Sequence, residues 1–245
     1  MIAGHLWPSA CDSTSMLDER TRHARALFGG IAPAYGTPAE ILSFGQYGRW
    51  RRALVRGMGC SSTDLVLDVA TGTGLIARDI EKRYGCRVVG VDQSMEMMGR
   101  AEGLSDRVGA DANALPFYES HFDCLVFSYL FRYVADPPQT LQELVRVLKP
   151  GGTLASVEFG VPPSPLPRMG WSVHALGVFP LATRAFGPEW AHVGAFLPHS
   201  IVDWANEWPL ERQVDMWHAA GITEIKTRRM TFGTGVLIKG RKRGG

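Results

Sequence analysis

The sequence predicts an α/β chain built on a doubly wound sheet of seven strands, and three observations carry that reading. Apolar, strand-length runs alternate with helix-period stretches between Leu65 and Phe159. The first run, Val66-Leu67-Asp68-Val69-Ala70, enters the glycine-rich turn Thr71-Gly72-Thr73-Gly74, and the second ends on Asp92. Two strand-like runs, Ile222 to Met230 and Gly235 to Lys239, close the chain across a Gly-containing turn.

Each element follows from its own pattern. Residues 1–27 are mixed and polar and read as a loose arm or one short helix. Pro38 to Met58 reads as helical, broken near Gly45 and Gly48: Trp50, Leu54 and Met58 recur at i, i+4, and Pro38 suits a first helical turn. Leu65 to Ala70 is apolar on both faces except for Asp68, as a buried parallel strand is. A turn and helix over Gly72 to Tyr84, a strand over Arg87 to Val91 and a helix over Met95 to Ala101 follow. A short strand lies near Val108 and another at Asp123 to Tyr129. Pro137 to Leu148 is helical, with Leu141, Leu144, Val145 and Leu148 on one face, and Lys149-Pro150-Gly151-Gly152 stops it. Thr153 to Phe159 is the fifth strand. From Gly160 to Leu210 the alternation breaks into a Pro- and Trp-rich stretch that reads as irregular helices. Glu211 to Ala220 is a helix ended by Gly221. The expected organisation is a helical N-terminal arm or cap over 1–60 and an α/β domain over 61–245, with an insertion at about 160–210 after the fifth strand.

Composition narrows the class. A chain of 245 residues makes one large domain, or one with a built-in cap, and 45% apolar residues suit a packed core. A net charge of +2 gives no field that implies nucleic acid. Cys11, Cys60, Cys86 and Cys124 form no CxxC pair and have no His at metal-ligand spacing, so a reduced, cytoplasmic chain without a metal is expected. Met1 to Ser13 lacks a basic start and holds Pro8, unlike a signal peptide. No apolar run reaches the roughly 18–20 residues of a membrane span.

The first strand-to-helix turn of an open α/β sheet lies at the carboxyl edge, where such sheets bind ligands. Gly72 and Gly74 let the backbone turn tightly and approach a ligand. Ala77 stands at the third position of the dinucleotide fingerprint, where alanine is tolerated, so it does not decide the cofactor. Asp68 tilts the choice: a carboxylate there would repel a pyrophosphate and favour the ammonium or sulfonium of S-adenosylmethionine. Unit charges about 4 Å apart interact by roughly 4 kcal/mol at an effective dielectric of about 20. Asp92 is placed to accept both ribose hydroxyls, and Asp111-Ala112 to meet the adenine amino group. Each acid taken singly could be a solvated loop residue; three of them, each near a strand end, point to a nucleoside ligand.

These residues bring out a resemblance. The chain resembles the UbiE/MenG family of S-adenosylmethionine-dependent C-methyltransferases of ubiquinone and menaquinone biosynthesis, over most of its length from Phe28. The matching residues are Phe28, Ala32, Tyr35, Ser43-Phe44-Gly45, Trp50, Val66-Leu67-Asp68, Gly72-Thr73-Gly74 and Asp92. They continue with Ala114-Leu115-Pro116-Phe117, Phe122-Asp123, Arg132, the run Arg146 to Gly152, and Glu158-Phe159. Ser200-Ile201, Ala219-Ala220-Gly221 and Thr231 complete them. The resemblance implies a Rossmann-like class I methyltransferase fold. It implies cofactor contacts at Thr73, Asp92, Asp111, Ala112 and Ser128, and places Tyr35 and Arg132 facing the methyl donor or the acceptor. The candidate cofactor set is Tyr35, Asp68, Thr71, Gly72, Thr73, Gly74, Asp92, Gln93, Met97, Asp111, Ala112 and Ser128. The chain departs from the family at Gly36, Ala39 and Tyr133, where an Asp, an Asn and an Asn are usual.

The expected reaction is methyl transfer to an apolar aromatic small molecule, with C-methylation of a quinol-type acceptor as one form. O- or N-methylation, S-adenosylmethionine binding without transfer, and dinucleotide chemistry stay open as alternatives. In-line displacement needs donor and acceptor about 3–3.5 Å apart and water excluded. A phenolic acceptor with a pKa near 10 is ionised in only about one molecule in a thousand at pH 7, a deficit of roughly 4 kcal/mol that a base or cation can recover. Arg132 is the candidate cation, with a structural ion pair as its other reading. Tyr35, His174, His192 and His199 are candidates for proton transfer. The aromatics Trp171, Phe179, Phe186, Trp190, Phe196, Trp204 and Trp208 read as a lid over a flat acceptor, or as the insertion's own core. Arg49, Arg52 and Arg56, and the basic C-terminus from Lys239 to Arg243, read as solvated surface, or as peripheral contact with an anionic membrane at most. A homodimer is left open.

Overall fold

The structure, a computed structural model, describes residues 27, 30–31, 36–101, 103–104 and 106–244. Its centre is a seven-stranded sheet in the order β3-β2-β1-β4-β5-β7-β6. The strands are β1 (Leu65–Val69), β2 (Arg87–Asp92), β3 (Asp106–Gly109), β4 (Phe122–Ser128), β5 (Leu148–Phe159), β6 (Ile222–Met230) and β7 (Gly235–Lys242). The first five run parallel, and β7 is antiparallel to both β5 and β6. The doubly wound α/β sheet of seven strands is the one the alternation predicts. The order reverses between β1 and β4, which makes their carboxyl ends the ligand edge.

Helices cover both faces: α1 (Gly36–Leu42), α2 (Gln46–Met58), α3 (Leu75–Tyr84), the single turn α4 (Met95–Met98) and α5 (Pro137–Val147). In the insertion come α6 (Pro165–Ser172), a π-helical turn (Val173–Val178), α7 (Phe179–Thr183) and α8 (Pro188–Glu207), and then α9 (Leu210–Ala219). Successive β1 side chains point to opposite layers. Val66 packs with Trp50, Leu54, Met58 and Val126, while Leu67 and Val69 pack with Leu125, Phe127, Trp204 and Trp217. A parallel strand buried on both faces reads as a continuous apolar run, which explains why the sequence showed it plainly.

Three boundaries differ from expectation. The break before α2 falls at Ser43–Gly45, where Phe44 and Gly45 both take left-handed backbone; Gly48 lies inside the helix, its N–H bonded to the Glu40 carboxylate at 3.2 Å. The Lys149-Pro150-Gly151-Gly152 run ends α5 and also belongs to β5: Leu148 pairs with Phe122, the register shifts, and pairing resumes at Thr153 with Cys124. The insertion is more regular than its prolines suggested. Prolines stand in the first turns of α6 and α8, where the missing N–H is not needed; Pro180 comes just after the π-helical turn, and α8 runs 20 residues with Pro198 inside it.

The arm is tied to the sheet. Trp50 Nε1 donates to Thr231 Oγ1 at 3.0 Å, and a Cβ at Gly235 would sit 2.7 Å from the Trp50 ring. A separate cluster of Leu27, Ile31, Leu42, Trp190 and Val193 joins the arm to α8. Among the described residues no helix is long and apolar enough to cross a membrane.

Candidate functional site

Two cavities meet at the carboxyl edge. The smaller, about 120 Å³, lies over the β1, β2 and β4 ends. Of the candidate cofactor residues it is lined by Thr71, Gly72, Thr73, Asp92, Gln93, Met97 and Ser128. Asp92 organises it: one carboxylate oxygen accepts the Gly72 N–H and the other the Ser94 N–H, both at 2.8 Å. Burial pushes the Asp92 carboxyl up, and these amides oppose the rise. Gly72 has φ +55°, and a Cβ there would meet Met97 Cε at 3.3 Å. Ser94 caps α4 by accepting the Met97 N–H at 3.3 Å. Among the described residues Gln93 Oε1 is buried without a hydrogen-bond partner, an acceptor that a nucleoside amino or hydroxyl group would satisfy. The residues present therefore fit an adenosyl cofactor.

Other candidates fall elsewhere. Asp68 is 1% exposed and does not line this cavity: its Oδ2 accepts the Thr71 hydroxyl at 2.7 Å, and its Oδ1 has no hydrogen-bond partner among the described residues. Burial pushes its carboxyl up to about 7, partly opposed by the Thr71 hydroxyl and the Ala77 amide. Gly74, with φ +73°, caps α3. Asp111 does not line the smaller cavity; its Oδ1 accepts the backbone and side-chain N–H groups of Asn113 at 2.8 and 2.9 Å in its own turn. Ala112 packs into the core. Tyr35 lies outside the described residues.

The larger cavity, about 480 Å³, lies between α1–α2, the ends of β4 and β5, and the insertion. Tyr47, Tyr129 and Tyr133 line both cavities. Tyr129 stacks on Phe159 with centroids 4.5 Å apart, and Phe159 meets Trp50 edge-on at 5.8 Å. The insertion contributes Trp171, His174, Phe179 and Trp190 to this wall. Trp204 and Trp208 instead stack on each other in the main core, and Phe196 stacks on Tyr133 at 6.2 Å. The aromatic stretch thus divides between cavity wall and core.

Arg132 lines the cavity with a side chain only 1% exposed. Its Nε donates to Glu158 Oε1 and its Nη1 to Ser200 Oγ, both at 2.9 Å. The guanidinium lies 4.8 Å from the Tyr133 centroid and 5.1 Å from that of Phe159. Burial works against its charge, but Glu158 more than offsets this and holds it protonated. Arg132 is therefore an ion-paired residue and a cavity residue at once. His174 lines the cavity 4.9 Å from the Phe44 ring; His192 and His199 are exposed on α8 and line neither cavity. Glu158, Ser200, Tyr47 and Tyr129 are the site residues for which the sequence suggested no role. The usable signal was position: Tyr129 and Glu158 stand at the carboxyl ends of parallel strands. At the opposite sheet edge, Cys60, Asp64 and Cys124 bring two thiols and a carboxylate oxygen within 4.8 Å of one another, a donor grouping hidden by their spacing in the chain.

Known proteins carry the same pattern. Residues 15–242 match the model of the ubiE/COQ5 methyltransferase family. A demethylmenaquinone methyltransferase of Thermobifida fusca (strain YX) is 36% identical over 231 residues, covering 90% of this chain and 95% of that protein. The ubiquinone/menaquinone biosynthesis C-methyltransferase UbiE of Geobacter sulfurreducens is 33% identical over 237 residues, covering 92% and 91%. In fold, a solved S-adenosylmethionine-dependent methyltransferase of Thermotoga maritima, described as a possible histamine N-methyltransferase, superposes with a TM-score of 0.61 at 17% identity, covering 90% of this chain and all of that one. The chain belongs to the ubiE/COQ5 methyltransferase family and is an S-adenosylmethionine-dependent methyltransferase.

Proposed function

We propose that the chain methylates a ring carbon of a quinol-type acceptor that carries an apolar tail. The observation that carries this reading is the 480 Å³ cavity, walled by aromatic and aliphatic side chains, with one buried cation set in its wall and the cofactor pocket beyond three tyrosines. The curated relatives, named for demethylmenaquinone, support it.

S-adenosylmethionine supplies an electrophilic methyl group on a sulfonium. The chain's residues do the rest. Asp92 and Gln93 hold the nucleoside end, with Thr71, Gly72, Thr73, Met97 and Ser128 shaping the pocket around it. Asp68 acts through Thr71, fixing the turn, and Tyr35, outside the described residues, is a candidate contact on the resemblance alone. The aromatic walls exclude water and hold a flat ring for in-line attack. Arg132, kept charged by Glu158 and oriented by Ser200, faces the ring oxygen and stabilises its ionised form, which raises electron density at the adjacent carbon. Burial holds the Tyr133 phenol above its ordinary value, so it stays neutral and able to donate. His174, which lines the cavity, takes the proton from the acceptor in this reading; His199, exposed on α8 and off the cavity lining, is not given that part. The insertion helices act as the lid.

The test is methyl-labelled S-adenosylmethionine with demethylmenaquinol and its short-chain analogue, read by mass spectrometry and by NMR of the product. A methyl on the ring carbon is expected. A methyl ether, or no transfer to either quinol, overturns the acceptor reading.

A further inference from the structure

Helix α6 and the π-helical turn after it are apolar on two faces. The inner face, including Pro167, Trp171 and Ala175, lines the large cavity. The outer face carries Leu166, Met169, Val173 and Leu176 at helical spacing, and all four are exposed, Leu166 by 75% and Val173 by 63%. A helix with two apolar faces belongs where both sides are apolar, and here protein covers one of them. Leu181, also exposed, extends the patch onto α7. The patch reaches the cavity rim, where Phe44 packs on His174 and is itself 74% exposed. Phe232, 79% exposed, lines the same cavity. Exposed apolar side chains grouped in this way mark a docking face.

Charge selects what docks. From Gly160 to Pro188 the sequence holds no Asp or Glu, and Arg168 and Arg184 in this stretch are exposed. Across the cavity, α2 also lacks an acid and presents Arg49 and Arg52 to solvent. Glu40, whose carboxylate accepts the Gly48 N–H of α2, and the exposed Glu189 at the start of α8 border this region. An apolar helix face with exposed arginines on and around it suits an anionic lipid surface, where acyl chains take the leucines and phosphates take the arginines.

We propose that the outer face of α6 and the π-helical turn docks on an anionic bilayer and opens the cavity mouth onto the membrane. The docking stands on exposure and charge. Its use, drawing an acceptor with a lipid tail directly from the bilayer, rests on the quinol reading above.

The test is sedimentation of the full chain with phosphatidylcholine vesicles, with and without phosphatidylglycerol. The wild-type chain is expected to partition onto the anionic vesicles. Replacing Leu166, Met169, Val173 and Leu176 together by Gln lowers partitioning by about a hundredfold or more. Arg168→Gln with Arg184→Gln lowers it on anionic vesicles by about twentyfold, at about fivefold per cation. Both variants keep S-adenosylmethionine affinity by calorimetry and transfer to the short-chain acceptor, since none of these residues lines either cavity. A wild-type chain that stays in the supernatant, or partitions equally onto neutral vesicles, overturns the proposal. So does a dimer in light scattering that the Gln variant disperses, which would assign the face to a second copy. Vesicle binding that responds to both variants without any quinol methylation leaves the docking standing and removes the acceptor reading instead.

Discussion

The donor and acceptor halves of the site treat buried charge in opposite ways. On the donor side Asp68 is buried with one oxygen on the Thr71 hydroxyl and the other without a hydrogen-bond partner among the described residues. On the acceptor side Arg132 is buried against Glu158, with Ser200 and two aromatic rings completing its surroundings. A lone buried carboxylate responds by holding its proton, while a paired cation keeps its charge. The donor side is therefore the pH-sensitive half and the acceptor side the half that fails when one partner is removed.

The largest expected effect tests the acceptor side. Arg132→Met leaves Glu158 buried without its cation and should cost about 3–5 kcal/mol of stability. Arg132→Met combined with Glu158→Leu removes both charges and should recover most of that loss in urea unfolding. Methyl transfer should stay abolished in the pair while S-adenosylmethionine affinity survives. A double variant that regains transfer would make Arg132 purely structural.

Next comes Asp68, on the donor side. Its folded pKa of about 7 lies above the ordinary 3.8. Between those values the folded chain keeps a proton that the unfolded chain releases, so stability falls as pH rises through the window and the deficit is complete above it. At about 1.4 kcal/mol per unit, the full deficit is at most about 4 kcal/mol. Asp68→Asn should remove this slope, matching the wild type near pH 4 and exceeding it near pH 8. Parallel urea midpoints for the two proteins across that range would show that the carboxyl titrates normally.

A smaller effect separates pocket from frame. Asp92→Ala removes the acceptor for the Gly72 and Ser94 amides along with the expected ribose contact. Hydrogen bonds to a charged group contribute about 1.5–3 kcal/mol, so calorimetry should read a loss of S-adenosylmethionine affinity of about tenfold to a hundredfold. Unchanged affinity would leave Asp92 as a brace for the turn alone.

The same two halves differ in how far the sequence discloses them. The donor side is built from short-range order: a strand, a glycine turn and an acid after the next strand, all between Val66 and Asp92. Seven of its candidate residues do line one pocket. The burial of Asp68 was not legible, because strand alternation tells which face a side chain takes, not whether the turn beyond it closes over the carboxylate. Asp111 carries an Asx turn with Asn113 on its Oδ1, a local contact that the sequence reading did not include. The acceptor side is built from long-range contacts, Arg132 to Glu158 and Ser200, and Trp50 to Thr231, which no local spacing encodes. Trp204 and Trp208 look like Trp171 and Trp190 in sequence, and only packing sorts the first pair into the core and the second into the cavity wall.

The smallest predicted effect concerns backbone strain, which appears in both halves. Ala70, just after β1, and Tyr129, just after β4, flank the switch point with φ of +57° and +55°, and Phe44, Thr231 and Phe232 at the cavity rim are also left-handed. A side chain in that region costs roughly 1–2 kcal/mol, and such outliers gather where a fold holds a shape for its ligand. Tyr129 cannot be relieved without losing its ring from the wall, but Ala70 has only a methyl to lose. Ala70→Gly should release the strain, while the freer unfolded chain takes back about 0.4–1 kcal/mol. The net expected gain is about 0.5–1 kcal/mol, seen as a small rise in the urea midpoint with S-adenosylmethionine affinity within about twofold of the wild type. If the midpoint instead falls, the methyl of Ala70 contributes more by packing against its neighbours than its backbone costs, and the strain at the donor edge is smaller than the dihedral alone implies.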